Sequence, residues 1–272
     1  MTDVSAIACS RMYNVSAAVR QCWDDLFVWL SDTSGIGLEI IAHAPPAPLS
    51  ELWARSDLGA VVMCGYPLSR LGAGERPVPL AVPVSTEAWA SGEGLYASHI
   101  VAIANGAVKS ADDLAKAKWG WTVRDSQSGY HAPRSYLAEL PGGYQNAIET
   151  AGPLLNPNGI IAALKERRIE VGAIDAYAFQ LMSLHEPQMI EGLQIVATTR
   201  SMAAPMLIAS TDLPSRIIER LRETLISAHS DSTGRALLGK LGLQRFADVD
   251  IAAYAQLPIS ADSADEKLGS TW

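Results

Sequence analysis

The sequence has few cysteines and histidines, and neither type is spaced as a metal site requires. The three cysteines, Cys9, Cys22 and Cys64, are far apart and form no CxxC pair, which argues against a disulfide framework and excludes a zinc ribbon. The five histidines form no HxxxH or HxH motif. We therefore expect no metal site and no cofactor, and we interpret the cysteines as small buried hydrophobic residues.

Long apolar runs and a surplus of basic residues are also lacking. No stretch of about eighteen uncharged apolar residues occurs, so we expect no transmembrane helix and no direct membrane insertion. The chain has 21 Lys and Arg against 29 Asp and Glu, a formal net charge of −8, which argues against nucleic acid as a partner. Its 272 residues allow one large domain or two smaller lobes.

The N-terminal residues lack the pattern of a signal peptide. Asp3 stands where a signal peptide carries Lys or Arg, and the apolar run after it is only a few residues long. We predict that Val4–Cys9 forms the first β-strand. For the chain as written we expect a cytoplasmic location, and a periplasmic one if a natural N-terminal segment has been trimmed.

Short apolar runs alternate with helical patterns along the chain. This alternation predicts an α/β fold with a largely parallel sheet. Leu58–Met63 reads as a fully buried strand and Trp119–Val123 as another, whereas Ser16–Leu30 has apolar residues at helical spacing. Open sheets of this kind bind ligands in the loops at the carboxyl ends of their strands.

The segment Asp125–Tyr130 lies between a predicted strand and a predicted helix. Its hydroxyls (Ser126 and Ser128), the Gln127 amide and the backbone N–H groups of a helix start are suited to hold an anion. Gly129 permits a close backbone approach. An equally open alternative is that one of the serines only caps the helix.

Other candidate residues follow predicted strands. Arg11 comes after the first strand and is either an anion clamp or a surface arginine. Asp175 ends an apolar strand and either accepts hydrogen bonds from a ligand or caps the next helix. Three tyrosines near strand ends, Tyr13, Tyr66 and Tyr96, combine a ring with a hydrogen-bonding edge and could line a wet cleft.

Taken together, seven segments resemble, in order and spacing, the phosphate/phosphonate-type solute-binding proteins of ABC transporters, a family with the type 2 periplasmic-binding-protein fold. The resemblance runs from about residue 4 to residue 257. The segments are Ile7–Tyr13, Asp57–Leu68, Tyr96–Val101, Ser110–Leu114, Asp125–Tyr130, Glu170–Asp175 and Leu241–Leu243.

The resemblance implies an α/β fold of two lobes, each with a central mixed sheet, joined by two crossover strands. Residues 1–91 would begin lobe one, 92–199 would form lobe two, 200–257 would return to lobe one, and 258–272 would be a polar tail. The lobes would close on a ligand by a hinge motion.

The resemblance also implies a function. The chain would be the non-enzymatic substrate-binding component of an ABC-type uptake or sensing system, with a transporter permease or a sensory protein as partner. Its ligand would be a small polar anion, phosphate/phosphonate-like or an organic acid. The ligand-binding residues would be Arg11, Tyr13, Tyr66, Tyr96, Ser126, Gln127, Ser128, Gly129, Tyr130 and Asp175.

Three departures from the family pattern keep other ligands and functions open. Gln127 replaces the middle hydroxyl of the anion loop, residues 152–158 contain no histidine, and Arg11 stands where the family has proline. An organic acid or a nitrogenous ligand fits as easily. The alternative function is a cytoplasmic enzyme on the same fold, similar to menaquinone-pathway or thiamin-pyrimidine enzymes, with Asp175 or His131 as the acid/base.

Overall fold

The structure is a computed structural model that describes residues 6–140, 148–270 and 272. Val4 and Ser5 of the predicted first strand lie outside these residues, as does Thr271 of the predicted tail. The chain divides into two compact units. Lobe 1 comprises the residues up to Leu95 together with Ala204–Ile251, and lobe 2 comprises Tyr96–Ala203 together with the segment from Ala252 onward.

The helices and strands are labelled in chain order. The helices are α1 (Ala17–Ser34), α2 (Leu49–Trp53), α3 (Gly65–Arg70), α4 (Ala132–Ala138), α5 (Pro157–Lys165), α6 (Ala176–His185), α7 (Pro187–Ile190), α8 (Ser215–Ser227), α9 (Ser232–Lys240) and α10 (Gln256–Leu268). The strands are β1 (Ala6–Cys9), β2 (Leu38–Ile40), β3 (Leu58–Met63), β4 (Val78–Ser85), β5 (Leu95–Tyr96), β6 (Ser98–Ile103), β7 (Trp119–Gly120), β8 (Thr150–Ala151), β9 (Val171–Asp175), β10 (Leu193–Thr198), β11 (Met202–Ala203), β12 (Met206–Ala209) and β13 (Leu243–Ala247).

Lobe 1 is built on a six-stranded sheet with the order β13-β4-β12-β3-β1-β2. β1 is parallel to both β2 and β3, whereas β12 is antiparallel to β3 and β4, and β13 is antiparallel to β4. The expectation of a largely parallel sheet is therefore wrong for this lobe. The reason is topological, because the returning chain inserts β12 between β3 and β4 in the opposite direction.

Lobe 2 has a five-stranded sheet with the order β10-β6-β9-β7-β8. β6 is antiparallel to both β9 and β10, and β7 is parallel to both β8 and β9. Each lobe thus has a central mixed sheet, as the family resemblance implies. The short strands β5 and β11, next to two of the points where the chain passes between lobes, pair in a separate two-stranded sheet.

Local sequence signals explain where several elements begin and end. β3 has the predicted bounds and is buried at every position. Ser16 caps α1 by accepting a hydrogen bond from the Val19 N–H. The predicted strand Trp119–Val123 is shorter in the structure, where β7 ends at Gly120. Its neighbour β8 is followed by Gly152 and Pro153, and proline has no N–H to continue the ladder.

The stretch 258–272, which we predicted to be a polar tail, instead forms most of α10 in lobe 2. α10 packs against α4 and buries Leu257, Ala261 and Ala264. These residues are spaced by four and three positions, so they lie on one face of a helix. Two of them are alanines, which makes the apolar face easy to overlook in a polar sequence.

The cysteines are largely buried, as expected for small hydrophobic residues. Cys9 and Cys64 are buried, Cys22 is half-buried, and none of these three forms a disulfide. In the part of the chain that the structure describes, none of the helices has the length and apolar character to cross a membrane. The same described residues contain no cluster of three His, Cys, Asp or Glu side chains that could hold a metal ion.

Candidate functional site

The first candidate region is the edge of the lobe 1 sheet at which β1 and β3 end. These neighbouring strands are parallel, so the residues that follow them lie at the same edge. Arg11 follows β1 in a 3-10 turn, Arg11–Tyr13, that contacts β3. Tyr66, which is half-buried, follows β3 in the first turn of α3.

Arg11 is the charged group of this edge. Its side chain is half-buried, and its Nε is buried without a hydrogen-bond partner among the described residues. Burial lowers the pKa of the Arg11 guanidinium, and the nearby Cys9 opposes that change. A buried guanidinium nitrogen without an acceptor costs free energy, and an anionic ligand is the acceptor that would offset this cost best.

Two other polar side chains near β1 are already engaged within lobe 1. Ser10, 1% exposed, donates from Oγ to Asn14 Oδ1 at 2.6 Å. Tyr13, 2% exposed, stacks on Trp23 with ring centroids 6.3 Å apart and an interplanar angle of 10°. The ring of Tyr13 therefore belongs to the core of lobe 1, although we predicted it as a ligand-binding residue.

The second candidate region is one edge of the lobe 2 sheet. β6 begins there with Ser98, which pairs with Asp175 at the end of the antiparallel β9. β7 is parallel to β9, so Thr122, two residues beyond β7, follows a strand that ends at the same edge. The sequence-predicted anion loop comes next and forms a π-helical turn, Gln127–His131, that contacts β9.

Three buried polar atoms at this edge have no hydrogen-bond partner among the described residues. They are Ser98 Oγ, Thr122 Oγ1 and Gln127 Oε1. The three side chains are 1%, 5% and 2% exposed, respectively. Buried polar atoms are nearly always paired in folded proteins, and each one left unpaired costs about 1–3 kcal/mol. Three such atoms at one sheet edge therefore mark a place that a polar ligand would stabilise.

The backbone of the anion loop is fixed against Thr122. Ser126 caps the π-helical turn by accepting a hydrogen bond from the Gly129 N–H at 3.0 Å, and Thr122 N–H donates to the Gly129 carbonyl at 3.2 Å. A Cβ on Gly129 would overlap the Thr122 side chain. The glycine therefore allows a close approach, and Ser126 has the capping role that we left as an alternative. Ser128 is half-buried.

Asp175 caps α6, which is also the alternative that we left open for it. Asp175 Oδ1 accepts hydrogen bonds from the N–H groups of Tyr177 at 2.8 Å and Ala178 at 3.1 Å. The side chain is 6% exposed. A carboxylate has about four acceptor positions, and these two hydrogen bonds account for the capping role.

Tyr130 and Tyr96 are buried in lobe 2. Both side chains are 3% exposed. The Tyr130 hydroxyl accepts hydrogen bonds from Arg134 Nη1 at 3.1 Å, Trp272 N–H at 3.3 Å and Arg124 Nη1 at 3.4 Å. These bonds engage the hydroxyl within the lobe. His131, the acid/base candidate of the enzyme alternative, is buried beside Tyr130 with ring centroids 5.1 Å apart.

The structure therefore brings together part of the predicted site within each lobe. In lobe 2 the loop 126–129 and Asp175 lie at one sheet edge, and in lobe 1 Arg11 and Tyr66 do. Sequence reasoning missed Ser98 and Thr122. Both stand at the ends of apolar stretches, which is the signal that could have found them, but only the fold shows that their hydroxyls are unpaired.

Two mixed-sheet lobes of this kind, with polar groups at strand ends, define a periplasmic-binding-protein fold. A family model described as "ABC transporter, phosphonate, periplasmic substrate-binding protein" matches residues 13–254. The chain belongs to this family, and the resemblance drawn from the sequence is confirmed. It is a substrate-binding protein of the ABC phosphonate transporter type.

Solved structures support the same fold at low sequence identity. PhnD1 from Prochlorococcus marinus in complex with methylphosphonate is 13% identical with a TM-score of 0.74, over 99% of this chain and 100% of the other. A binding-protein component of an ABC phosphonate transporter from Pseudomonas aeruginosa is 13% identical with a TM-score of 0.72, over 97% and 95%. A Xanthomonas citri protein bound to ATP is 16% identical with a TM-score of 0.64, over 99% and 100%.

No curated protein matches the sequence significantly. The matching family and these phosphonate-transporter structures are solute-binding proteins. They give no support to the enzyme alternative, and they imply a small-molecule ligand and a transporter partner.

Proposed function

We propose that the chain captures a small tetrahedral oxyanion, an organophosphonate or inorganic phosphate, and delivers it to an ABC transporter permease. The observation that carries this proposal is the cluster of three buried, unpaired polar atoms at the edge of the lobe 2 sheet, Ser98 Oγ, Thr122 Oγ1 and Gln127 Oε1. The family membership supports the ligand class, and the orphaned Nε of Arg11 in lobe 1 supports its negative charge.

A tetrahedral anion suits these groups better than a carboxylate does. The hydroxyls of Ser98 and Thr122 can each donate one hydrogen bond, and the first N–H groups of a helical turn have no intrahelical acceptor. Gln127 Oε1 can accept from a protonated ligand oxygen. Three phosphonate oxygens offer enough positions for all these groups, whereas the two oxygens of a carboxylate offer fewer.

The ligand would be held by residues from both lobes, which would close on it by a hinge motion. In lobe 1 the contributors would be Arg11 and Tyr66. In lobe 2 they would be Asp175 and Tyr96 with the loop 126–129. Tyr13 and Tyr130 would act from behind the site as packing residues, because their rings are buried within their own lobes.

Titration calorimetry with methylphosphonate, inorganic phosphate, sulfate and adipate tests the ligand class. We expect methylphosphonate or phosphate to bind, and adipate not to bind. Arg11→Met should weaken binding by about tenfold or more, since hydrogen bonds to charged groups contribute about 1.5–3 kcal/mol. The matched control is Arg216→Met, which removes an exposed arginine of lobe 1.

Either of two results would contradict the proposal. One is that neither phosphorus-containing anion binds, and the other is that Arg11→Met binds as tightly as Arg216→Met does. Small-angle scattering with and without methylphosphonate tests the hinge motion separately, because closure of two lobes reduces the radius of gyration.

A further inference from the structure

Among the described residues, Arg134 on α4 is the one arginine or lysine whose side chain is buried. It is 0% exposed. A buried charge is tolerated only when it is paired and hydrogen-bonded. The partners of Arg134 therefore show what this charge holds in place.

The planar guanidinium of Arg134 joins two parts of lobe 2. Its Nη1 donates to the Tyr130 hydroxyl at 3.1 Å, and the Tyr130 ring lies 5.2 Å from the guanidinium carbon. Its Nη2 forms an ion pair with Asp265 Oδ1 at 2.8 Å and donates to the Gly269 carbonyl. Asp265 belongs to α10 and Gly269 follows its last turn. One side chain thus ties α10 to Tyr130.

Tyr130 is in turn continuous with the proposed ligand loop. It directly follows Gly129, whose N–H donates to Ser126 Oγ and whose carbonyl accepts from Thr122 N–H. The loop is packed tightly at this point, because a Cβ on Gly129 would overlap the Thr122 side chain. Movement of Tyr130 would therefore be transmitted to the loop.

We propose that Arg134 is a positioning residue, which holds the loop 126–129 in its binding geometry through Tyr130 and makes ligand affinity depend on the docking of α10. The part of this inference that concerns affinity rests on the proposed function. Arg134 does not contact the ligand in this arrangement, since it is completely buried and its forked end is taken up by Tyr130, Asp265 and Gly269.

Hydrogen exchange and calorimetry on the full chain test the coupling. In Asp265→Asn we expect the Gly129 amide to exchange about tenfold faster, and methylphosphonate to bind about fivefold more weakly, because the buried Arg134 guanidinium loses its ion-pair partner. Glu266→Gln removes the same charge from the neighbouring exposed position and should leave both values within about twofold.

Two further variants keep the test decisive if Asp265→Asn does not fold. Tyr130→Phe removes only the hydroxyl that Arg134 contacts, and it should speed Gly129 exchange in the same way. Arg134→Lys keeps the charge without the planar fork that reaches Tyr130 and α10 together. It should be more stable than Arg134→Met while leaving the Gly129 amide poorly protected.

The inference is overturned if the Gly129 amide exchanges equally fast in Asp265→Asn and Glu266→Gln, whether or not the Gly269 amide at the end of α10 becomes faster. That result would mean that Arg134 holds α10 alone. Failure of the unmodified protein to bind any probe would count against the proposed function instead, and the exchange rates would still decide the role of Arg134.

Discussion

The polar groups at the two sheet edges differ in how far the protein itself satisfies them. At the lobe 1 edge, Ser10 is paired with Asn14, and the Nε of the charged residue Arg11 is buried without a hydrogen-bond partner among the described residues. At the lobe 2 edge, the atoms without a partner among the described residues belong to the neutral side chains of Ser98, Thr122 and Gln127. Under the proposed function, Arg11 of lobe 1 would recognise the negative charge of the ligand, and the neutral groups of lobe 2 would recognise the positions of its oxygens.

The two lobes also differ in the environment of one arginine in each, Arg11 and Arg134. Lobe 1 has a half-buried guanidinium, Arg11, with a free nitrogen at the sheet edge. Lobe 2 buries Arg134 completely and pairs it with Asp265. A charge that is already neutralised inside the protein supports the structure around it, whereas one without an anion is available for a ligand.

The largest effect should come from Gly129→Ala in lobe 2. The added Cβ would overlap the Thr122 side chain, and overpacking of this kind costs about 1–3 kcal/mol of unfolding free energy. Because the loop would have to move, methylphosphonate binding should also be lost. Urea unfolding and calorimetry measure the two effects.

The matched control for that substitution is Gly239→Ala in lobe 1. A Cβ there meets nothing within 4 Å, and alanine favours the helix by up to about 1 kcal/mol. We expect equal or greater stability and unchanged binding. Normal stability and binding in Gly129→Ala would show that the loop is not held as closely to Thr122 as the structure indicates.

A smaller effect, of opposite sign in the two lobes, is expected for a pair of buried serines. Ser10 and Ser98 are both 1% exposed, but only the hydroxyl of Ser10 has a hydrogen-bond partner among the described residues. Ser10→Ala should lower the unfolding free energy by about 1 kcal/mol, because the Asn14 carbonyl oxygen loses its donor. Ser98→Ala removes an unpaired hydroxyl and should be neutral or stabilising by up to about 1 kcal/mol.

Ligand affinity distinguishes the two serine variants a second time. Ser98→Ala should weaken methylphosphonate binding although it does not destabilise the protein, whereas Ser10→Ala should bind almost normally. The opposite result would be that Ser98→Ala loses as much stability as Ser10→Ala and binds methylphosphonate normally. The Ser98 hydroxyl would then have a structural partner, and it would no longer support the proposed ligand site.

The sequence was informative where local patterns decide the structure. Leu58–Met63 forms a strand with the predicted bounds because an unbroken apolar run suits a strand that is buried on both faces. Ser110 and Asp113, spaced by three residues as a capping box requires, form one in the structure, where the turn that it begins is a 3-10 helix. The order of seven weak motifs was enough to identify the family, and with it the two mixed-sheet lobes.

What could not be predicted depends on contacts between distant parts of the chain. The spacing of Tyr13 after a strand is the same whether its ring stacks on Trp23 or faces a ligand, and the structure shows the stacking. Likewise, no local pattern tells that the Ser98 hydroxyl has no partner among the described residues, or that Arg134 pairs with a residue 131 positions later, Asp265. Such pairings are set by the tertiary fold.

The smallest effect should come from the acidic caps, of which Asp231 in lobe 1 and Asp113 in lobe 2 form a comparable pair. A hydrogen bond from the Gly234 N–H lowers the pKa of Asp231, and one from the Lys109 N–H lowers the pKa of Asp113. Each carboxylate therefore stabilises its lobe fully above the ordinary aspartate pKa of about 3.9. This contribution is lost as the pH falls through the lower pKa of the folded state.

Asparagine mimics the protonated form of each cap, so Asp231→Asn and Asp113→Asn should lower the Tm slightly at neutral pH and not at all below the folded-state pKa values. The Tm of each variant should therefore approach that of the unmodified protein as the pH falls. Calorimetry from about pH 7 down to about pH 2 measures this change in Tm. The same calorimetric traces compare the two lobes. If each variant shifts a different transition, the lobes unfold as separate units, and if both shift one common transition, they unfold together. A Tm difference that persists at the lowest pH would contradict the assigned role of the carboxylate charge.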